Sequence, residues 1–328
     1  MLVLKGSEAA ARIKKEVQEM VEGLGGHVPT AAIVRVGERP DDLSYERNVM
    51  KKIASFGMEA RSFAFPESIS EGEFQAEFQK INDDPSIDGI LLFCPLPRHM
   101  NGRTFEELIR PEKDLDGISP VNRARIFAGE KDGFAPCTAE AVIEILKTYQ
   151  IPMEGKRAVV VGRSMVVGRP LSMLFLKENA TVTVCHTKTA DLKAVCREAD
   201  ILVAAAGKAG MISGEFVKPG AVVADVGINV DENGALKGDV EWDGLEAARR
   251  HTGAWGRGLC DNGSAVPSSG GGGPAEIWSG AGAELSRLNK NLLEMAYWLQ
   301  VIYFQEVFYV GNSGGADLGG AHEPSGRL

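Results

Sequence analysis

The predicted strand Ala158–Val161 runs directly into a turn that holds Gly162 and Gly168 and opens a helix at Arg169. Glycine allows a backbone to turn tightly and to approach a pyrophosphate, whose charge is stabilised by the N-terminus of the following helix. Turns of this kind form the nucleotide sites of doubly wound α/β sheets. The spacing is not a full G-x-G-x-x-G, so an ordinary glycine-containing βα turn stays an alternative for this segment alone.

The strand after this turn ends in Cys185–Thr189 (CHTKT), without the carboxylate that usually holds the ribose 2′-hydroxyl of NAD. Basic and hydroxyl groups at this strand end, together with Arg163, suit a 2′-phosphate. The sequence therefore favours NADP as the cofactor, without excluding NAD. The predicted cofactor-binding residues lie in the turn and at later strand ends: Gly162, Arg163, Ser164, Val167, Gly168, His186, Thr187, Gly207, Lys208, Gly227 and Ile228.

Apolar strands alternate with amphipathic helices along most of the chain, as at Thr30–Val36 and Gly89–Phe93. Such alternation predicts an α/β fold with mostly parallel sheets. We predict four segments in chain order: an N-terminal α/β domain over residues 1–145, a Rossmann-type NAD(P)-binding domain over residues 146–283, a C-terminal helix returning to the first domain over residues 284–310, and a flexible tail over residues 311–328.

Composition narrows the class of protein. The net charge of −9, without a basic stripe, argues against nucleic acid as a partner. The five cysteines are scattered and none forms a C-x-x-C pair, so neither a disulfide framework nor a metal site is predicted. We find no apolar run of membrane-spanning length and no targeting segment at the N-terminus. The sequence thus predicts a cytoplasmic protein that binds no membrane, nucleic acid or metal.

Short motifs are spread over both halves of the chain. They are Val36-Gly37 with Pro40 and Tyr45, Asp88–Leu92 leading to Pro95-Leu96-Pro97, Lys113–Gly117, Pro136-Cys137-Thr138, Val161–Pro170, Cys185–Thr189 and Asp225–Asn229. In this order they resemble the methylenetetrahydrofolate dehydrogenase/cyclohydrolase family, over roughly residues 1–250. Each motif is weak alone, but together they are highly specific.

The resemblance implies a homodimer and a cleft between the two domains that binds folate, with the N-terminal domain on the folate side. Tyr45 would stack on the folate ring system, and Asp116 would hydrogen-bond the pterin, so these two are the candidate catalytic residues. Pro95, Leu96 and Pro97 would complete the substrate site as its wall. Taken without the resemblance, Tyr45 reads as a packing aromatic and Asp116 as a turn residue.

Two positions depart from the family in a way that changes the expected chemistry. The family's lysine, four residues after the tyrosine, is Val49 here, and its glutamine, two residues before Pro-Leu-Pro, is Phe93. Neither side chain can donate or accept a proton, so activation of water for the cyclohydrolase step loses its groups. Hydride transfer mainly requires alignment of donor and acceptor. Lys52, on the helical face of Val49, is a candidate partial substitute.

We therefore expect oxidation of 5,10-methylenetetrahydrofolate to 5,10-methenyltetrahydrofolate with hydride transfer to NADP, and loss of most cyclohydrolase activity. Two alternatives stay open: a bifunctional dehydrogenase/cyclohydrolase, and a non-catalytic relative that binds folate or nucleotide. The last arises from residues 252–290, where the family's Pro-Val-Pro-Gly-Gly-Val-Gly-Pro loop reads Ala265–Pro274 (AVPSSGGGGP). Divergence and an altered reading frame both account for that segment.

Overall fold

The computed structural model describes residues 2–230, 232, 236–242 and 309–312. Within this part of the chain, strands and helices alternate and form two mostly parallel sheets covered by helices, together with a short two-stranded antiparallel sheet. The predicted α/β fold is confirmed.

The N-terminal half supplies the smaller sheet and most of the long helices. Its elements are β1 (Leu2–Lys5), α1 (Gly6–Glu22), β2 (Thr30–Val36), α2 (Pro40–Ser55), β3 (Glu59–Phe65), α3 (Glu71–Asp83), β4 (Gly89–Leu92), α4 (Gly102–Leu108), α5 (Pro120–Ala128) and α6 (Cys137–Thr148).

The second half supplies most strands of the larger sheet. Its elements are β5 (Arg157–Val161), α7 (Gly168–Lys177), β6 (Thr181–Cys185), α8 (Leu192–Cys196), β7 (Ile201–Ala204), a 3-10 turn (Gly214–Phe216), β8 (Val222–Asp225), β9 (Asn229–Val230), β10 (Leu236–Lys237) and β11 (Tyr309–Asn312).

The smaller sheet has the order β3-β2-β4, and all its pairings are parallel. All seven residues of the central strand β2 are buried, as expected for a parallel strand with both faces covered. Since the three strands run the same way, their carboxyl ends meet at one edge. That edge carries the start of α2 after β2 and the Pro95-Leu96-Pro97 turn after β4.

The larger sheet has the order β1-β11-β8-β7-β5-β6. Strands β8, β7, β5 and β6 are parallel neighbours, while β11 pairs antiparallel with both β1 and β8. The glycine turn follows β5, which lies between β7 and the edge strand β6. The loops after β7 and β8 end at the same edge, which places the predicted cofactor residues together.

One apolar cluster extends from the smaller sheet to the larger one through α6 and α7. Val142 and Leu146 of α6, with Leu171 and Phe175 of α7, are at most 1% exposed. Helix α6 is therefore a buried connection rather than a surface helix, and it couples the two sheets.

Several predicted bounds need correction. Helix α2 begins at Pro40, four residues before Ser44, where the apolar pattern predicts its start, because proline has a fixed φ suited to the first helical turn. Helix α5 was not predicted, and β4 ends at Leu92 rather than Phe93. Residues 309–312 form β11, where the end of a helix and the start of a tail were expected. The rest of the predicted helix 284–310 and tail 311–328, and the segment 252–290, lie outside the described residues.

Candidate active site

The turn after β5 is so tight that a side chain does not fit at either of its two glycines. Gly162 has a φ of +144°, and a Cβ there would lie 2.1 Å from the carbonyl oxygen of Ala205. A Cβ on Gly168 would lie 2.2 Å from the carbonyl oxygen of Gly162. The turn therefore holds the N-terminus of α7 close behind β5, a cradle that fits a dinucleotide pyrophosphate.

Side chains of this turn divide into inward and outward groups. The Ser164 hydroxyl accepts hydrogen bonds from the backbone N–H groups of Val167 at 3.0 Å and Gly168 at 3.5 Å, so it shapes the start of α7. Arg163 and Met165 are exposed. Of the predicted cofactor residues in this turn, Arg163 thus presents its side chain outward, while the Ser164 hydroxyl hydrogen-bonds to the backbone.

The end of β6 forms a compact turn beside the glycine turn. The backbone N–H of His186 donates to Thr189 Oγ1 at 2.8 Å, and His186 Nδ1 accepts from the backbone N–H of Lys188 at 3.1 Å. The backbone N–H of Gly162 donates to the carbonyl of Cys185 at 2.9 Å, which ties the two turns together. Thr187 and Lys188 are exposed here, as recognition of a 2′-phosphate requires.

The loops after β7 and β8 are built around two buried carboxylates. Asp239 is fully buried and accepts from the backbone N–H groups of Ala206, Gly207 and Lys208 at 2.6, 2.9 and 2.7 Å. The carboxylate of Asp225, two residues before the predicted cofactor residue Gly227, points inward. It accepts from the backbone N–H groups of Gly227, Asp239 and Val240 at 3.0, 2.9 and 3.0 Å.

On the other side, Tyr45 of α2 lies over the end of β4. Its half-buried ring is 4.9 Å from the ring of Phe93, centroid to centroid, at a tilt of 45°. Val49, one helical turn later, is 7% exposed and Phe93 is 6% exposed, and both belong to the main apolar cluster. The structure thus brings the three predicted positions together, and it packs the two apolar ones as core residues.

The other predicted substrate residues lie close to this aromatic pair in sequence. Pro95 is exposed and Leu96 and Pro97 are half-buried, immediately after the end of β4. Lys52 is half-buried on α2, three residues beyond Val49, and makes an interaction within the protein.

Asp116 lies on a segment that runs beside β4. The backbone N–H of Ile90 donates to the carbonyl of Lys113 at 2.6 Å, and that of Leu115 donates to the carbonyl of Ile90 at 3.1 Å. Asp116 then meets the start of α6, where it accepts from the backbone N–H of Cys137 at 3.5 Å. Desolvation is the main cause that raises the pKa of Asp116 to about 6, and the nearby Asp114 adds to it.

The turn-forming role in this loop belongs to Asp114 rather than to Asp116. Asp114 is fully buried and accepts from the backbone N–H groups of Ile118 and Ser119 at 3.1 and 2.8 Å, and from Asn122 Nδ2 at 2.9 Å. Asp116 instead interacts with the start of α6, through the backbone N–H and the thiol of Cys137. Its carboxyl is therefore the better placed of the two for a ligand.

A buried ion pair behind the aromatic pair was not predicted. Arg35 of β2 donates from Nε to Glu46 Oε2 at 2.7 Å and from Nη1 to the carbonyl of Gly37 at 2.5 Å. The other Glu46 oxygen accepts from Ser62 of β3. The sequence signal was present, because Arg35 is a single charge within an otherwise apolar buried strand.

Two family models match the chain. Residues 4–116 match the catalytic domain of tetrahydrofolate dehydrogenase/cyclohydrolase, and residues 136–256 match the NAD(P)-binding domain of the same family. The first match covers all three strands of the smaller sheet, and the second covers strands β5 to β8 of the larger sheet.

Similar proteins and structures agree with this assignment. The chain is 50% identical over 246 residues to "Bifunctional protein FolD" of Alkaliphilus oremlandii, covering 74% of this chain and 86% of the relative. The crystal structure of bifunctional FolD from Campylobacter jejuni is similar with a TM-score of 0.75 and 31% identity, over 93% of this chain and 99% of that chain. The Trypanosoma brucei enzyme, complexed with NADP and an inhibitor, has a TM-score of 0.69 and 34% identity, over 75% and 87%.

The described residues contain no group of three or more His, Cys, Asp or Glu residues able to hold a metal ion. None of the described helices is long and apolar enough to cross a membrane.

Proposed function

Since the chain belongs to the tetrahydrofolate dehydrogenase/cyclohydrolase family, we propose that it oxidises 5,10-methylenetetrahydrofolate to 5,10-methenyltetrahydrofolate with NADP. The observation that carries this proposal is the glycine cradle after β5 in a chain that also has the aromatic pair Tyr45 and Phe93 at the end of β4. The methylene carbon loses a hydride to the nicotinamide ring, which NADP supplies when bound, while a neighbouring folate nitrogen donates its lone pair.

The residues of this chain mainly position the two reactants. Tyr45 stacks on the folate ring system, and Asp116 accepts hydrogen bonds from the pterin. Pro95, Leu96 and Pro97 form the wall of the cleft. No side-chain base is required for the hydride step, so alignment and exclusion of water are sufficient contributions.

A preference for NADP over NAD is part of the proposal. Arg163 after β5 and Lys188 after β6 are both exposed, so a 2′-phosphate bound between these turns would gain charge-assisted hydrogen bonds from them. The relative from Trypanosoma brucei, whose structure contains NADP, supports the same choice.

A cyclohydrolase step is the second candidate activity, and the comparisons favour it over the dehydrogenase-only prediction. Relatives 48–50% identical to this chain are named bifunctional. The local chemistry at Val49 and Phe93 points the other way, because both side chains are apolar and packed. A bifunctional chain would require a different group, such as Lys52, to activate water.

One set of assays on the purified protein tests both the choice of cofactor and the presence of a cyclohydrolase activity. Methylenetetrahydrofolate is supplied with NADP or NAD, and reduced nicotinamide and methenyl product are followed separately. We expect reduction with NADP and accumulation of the methenyl product; its rapid hydrolysis would establish the bifunctional alternative. No turnover with either cofactor would favour the non-catalytic alternative. Under the dehydrogenase-only reading, the double variant Val49→Lys/Phe93→Gln is expected to gain hydrolysis of added methenyltetrahydrofolate.

We also propose a homodimer and a cytoplasmic location. An apolar cavity of about 340 Å³, lined by Phe127, Met165 and Val184 among others, opens next to β6, which is the edge strand of the larger sheet. Phe127 is 76% exposed, and a second copy of this chain would cover it. The four cysteines in the described residues are free thiols, which supports a reducing compartment.

A further inference from the structure

The loop after β7 is wrapped around a side chain that lies more than thirty residues later in the chain. Three consecutive backbone N–H groups, those of Ala206, Gly207 and Lys208, all point at the carboxylate of Asp239. Asn229 Nδ2 donates a fourth hydrogen bond to it at 2.9 Å. Charge-assisted hydrogen bonds of this kind are about twice as strong as neutral ones.

Consecutive N–H groups around a residue of positive φ form a concave anion site, and Gly207 has a φ of +65°. In a nucleotide-binding protein such a site would be available to a phosphate. Here it is already filled by Asp239, which is fully buried beneath the loop. The N–H groups of Gly207 and Lys208 therefore cannot bind the cofactor. Only the exposed outer surface of these two residues can contact it.

Asp239 is itself held rigidly from both sides. Its backbone N–H donates to Asp225, and its carbonyl accepts from the N–H of Ile212 at 2.9 Å. A Cβ on Gly227 would lie 2.3 Å from the carboxyl carbon of Asp239, and one on Gly238 would lie 1.9 Å from Asp225 Oδ2. Glycine at these two positions is what allows the two carboxylates to approach the strand ends.

We propose that Asp239 is a positioning residue for the cofactor: it fills the N–H site of residues 206–208 and fixes the loop after β7 in the shape that receives the nicotinamide half of NADP. The inference rests on the proposed dehydrogenase function. Asp239 acts through the loop and does not touch the reacting atoms. The 51%-exposed Ile228, after β8, and the outer face of Lys208 are the surfaces it sets in place.

The test is removal of the carboxylate and its replacement from solution. In Asp239→Ala we expect KM for NADP to rise about tenfold or more, the size expected for lost charge-assisted hydrogen bonds, with KM for methylenetetrahydrofolate nearly unchanged. Added formate, a carboxylate small enough for the vacated space, should lower KM for NADP again. The matched control is Asp200→Ala: Asp200 accepts the N–H of Arg157 at 2.8 Å at the opposite ends of the strands. It should show neither effect.

The outcomes distinguish failure of the proposed function from failure of the inference about Asp239. Wild-type protein that neither binds NADP in calorimetry nor turns over would remove the proposed function, and this inference with it. An active wild type with an unchanged KM for NADP in Asp239→Ala would overturn the inference alone. So would an equal rise in both KM values without a response to formate, since that describes general damage. If Asp239→Ala does not fold, Asp239→Asn, which keeps one acceptor oxygen, should show a smaller rise confined to NADP; no such rise would also overturn the inference.

Discussion

Single residues decide the chemistry on the substrate side. The sequence identified those that lie close together on one helix or directly after a strand. Tyr45, Val49 and Phe93 were placed together from spacing and resemblance, and the structure brings them into one cluster. The contacts of Asp239 with the loop after β7, and of Arg35 with Glu46, were not predicted. These contacts link residues that are distant in sequence or in neighbouring elements, and no periodic pattern reports such pairs.

Asp116 gives the cleft a pH dependence. Burial raises the pKa of this carboxyl to about 6, so it changes charge in the range of an ordinary assay. We expect kcat/KM for methylenetetrahydrofolate to fall as the pH drops through about 6, because the protonated carboxyl loses acceptor capacity for the pterin. In Asp116→Asn the value should be lower and this step should be absent. A wild-type profile that is flat between pH 5 and 7 would contradict the assignment.

The same raised pKa has a consequence for stability. The folded state binds the Asp116 proton more tightly than the unfolded state does. The contribution of this group to the free energy of unfolding is therefore full below the ordinary carboxyl pKa, and it is lost as the pH rises through about 6. Asp116→Asn should remove that slope in urea titrations across the range.

At the scale of elements, the parallel strands were predicted, whereas the antiparallel strands β1, β9, β10 and β11 were missed. Strands β2 and β6 have the bounds expected from their apolar and β-branched runs. Helix α5 was missed although its ends are marked: Ser119 caps its N-terminus, Pro120 follows, and Gly129 ends it with a φ of +72°. The surface of this helix mixes polar and apolar residues and gives no clear apolar face. Only the capping residues therefore indicate the helix in the sequence.

Helix α2 is held to the smaller sheet by the Arg35–Glu46 ion pair, whose side chains are 11% and 9% exposed. Glu46→Leu leaves Arg35 buried without its partner, so we expect a loss of about 3–5 kcal/mol in the free energy of unfolding. The double variant Arg35→Leu/Glu46→Leu should recover most of that loss, because an apolar pair can replace a buried ion pair. Urea denaturation measures both.

A surface pair supplies the control for this prediction. Arg103 and Glu107 are 2.9 Å apart and largely exposed on α4, so Glu107→Leu should change stability by less than about 1 kcal/mol. If Glu46→Leu is equally mild, the buried pair does not anchor α2. Helix α2 carries Tyr45, so its anchoring bears on the substrate side of the cleft as well.

At the scale of the whole molecule, the two-sheet arrangement followed from the alternation of strands and helices. The sequence did not reveal that α6 and α7 would pack as one buried layer between the sheets. That layer depends on tertiary packing of two helices twenty residues apart. The apolar surface beside it, at Phe127, is also visible only in the folded chain.

The proposed homodimer is tested on that surface. Phe127→Glu, alone or with Val184→Lys, places charge on the apolar cavity wall and should shift the protein from dimer to monomer in light scattering. Val28→Lys, at a residue 45% exposed and not part of the cavity, should leave the mass unchanged. A wild-type protein that is monomeric at all concentrations would rule out the dimer.

The two glycines of the cofactor turn restrict how this protein can diverge over evolutionary time. Neither Gly162 nor Gly168 can gain a side chain unless backbone atoms elsewhere move, so single changes at these codons are closed to it. Arg163 and Met165, between them, are exposed and free of that restriction. Selection can therefore revise the preference between phosphorylated and unphosphorylated cofactors through outward-facing neighbours, while the shape that holds the pyrophosphate stays fixed.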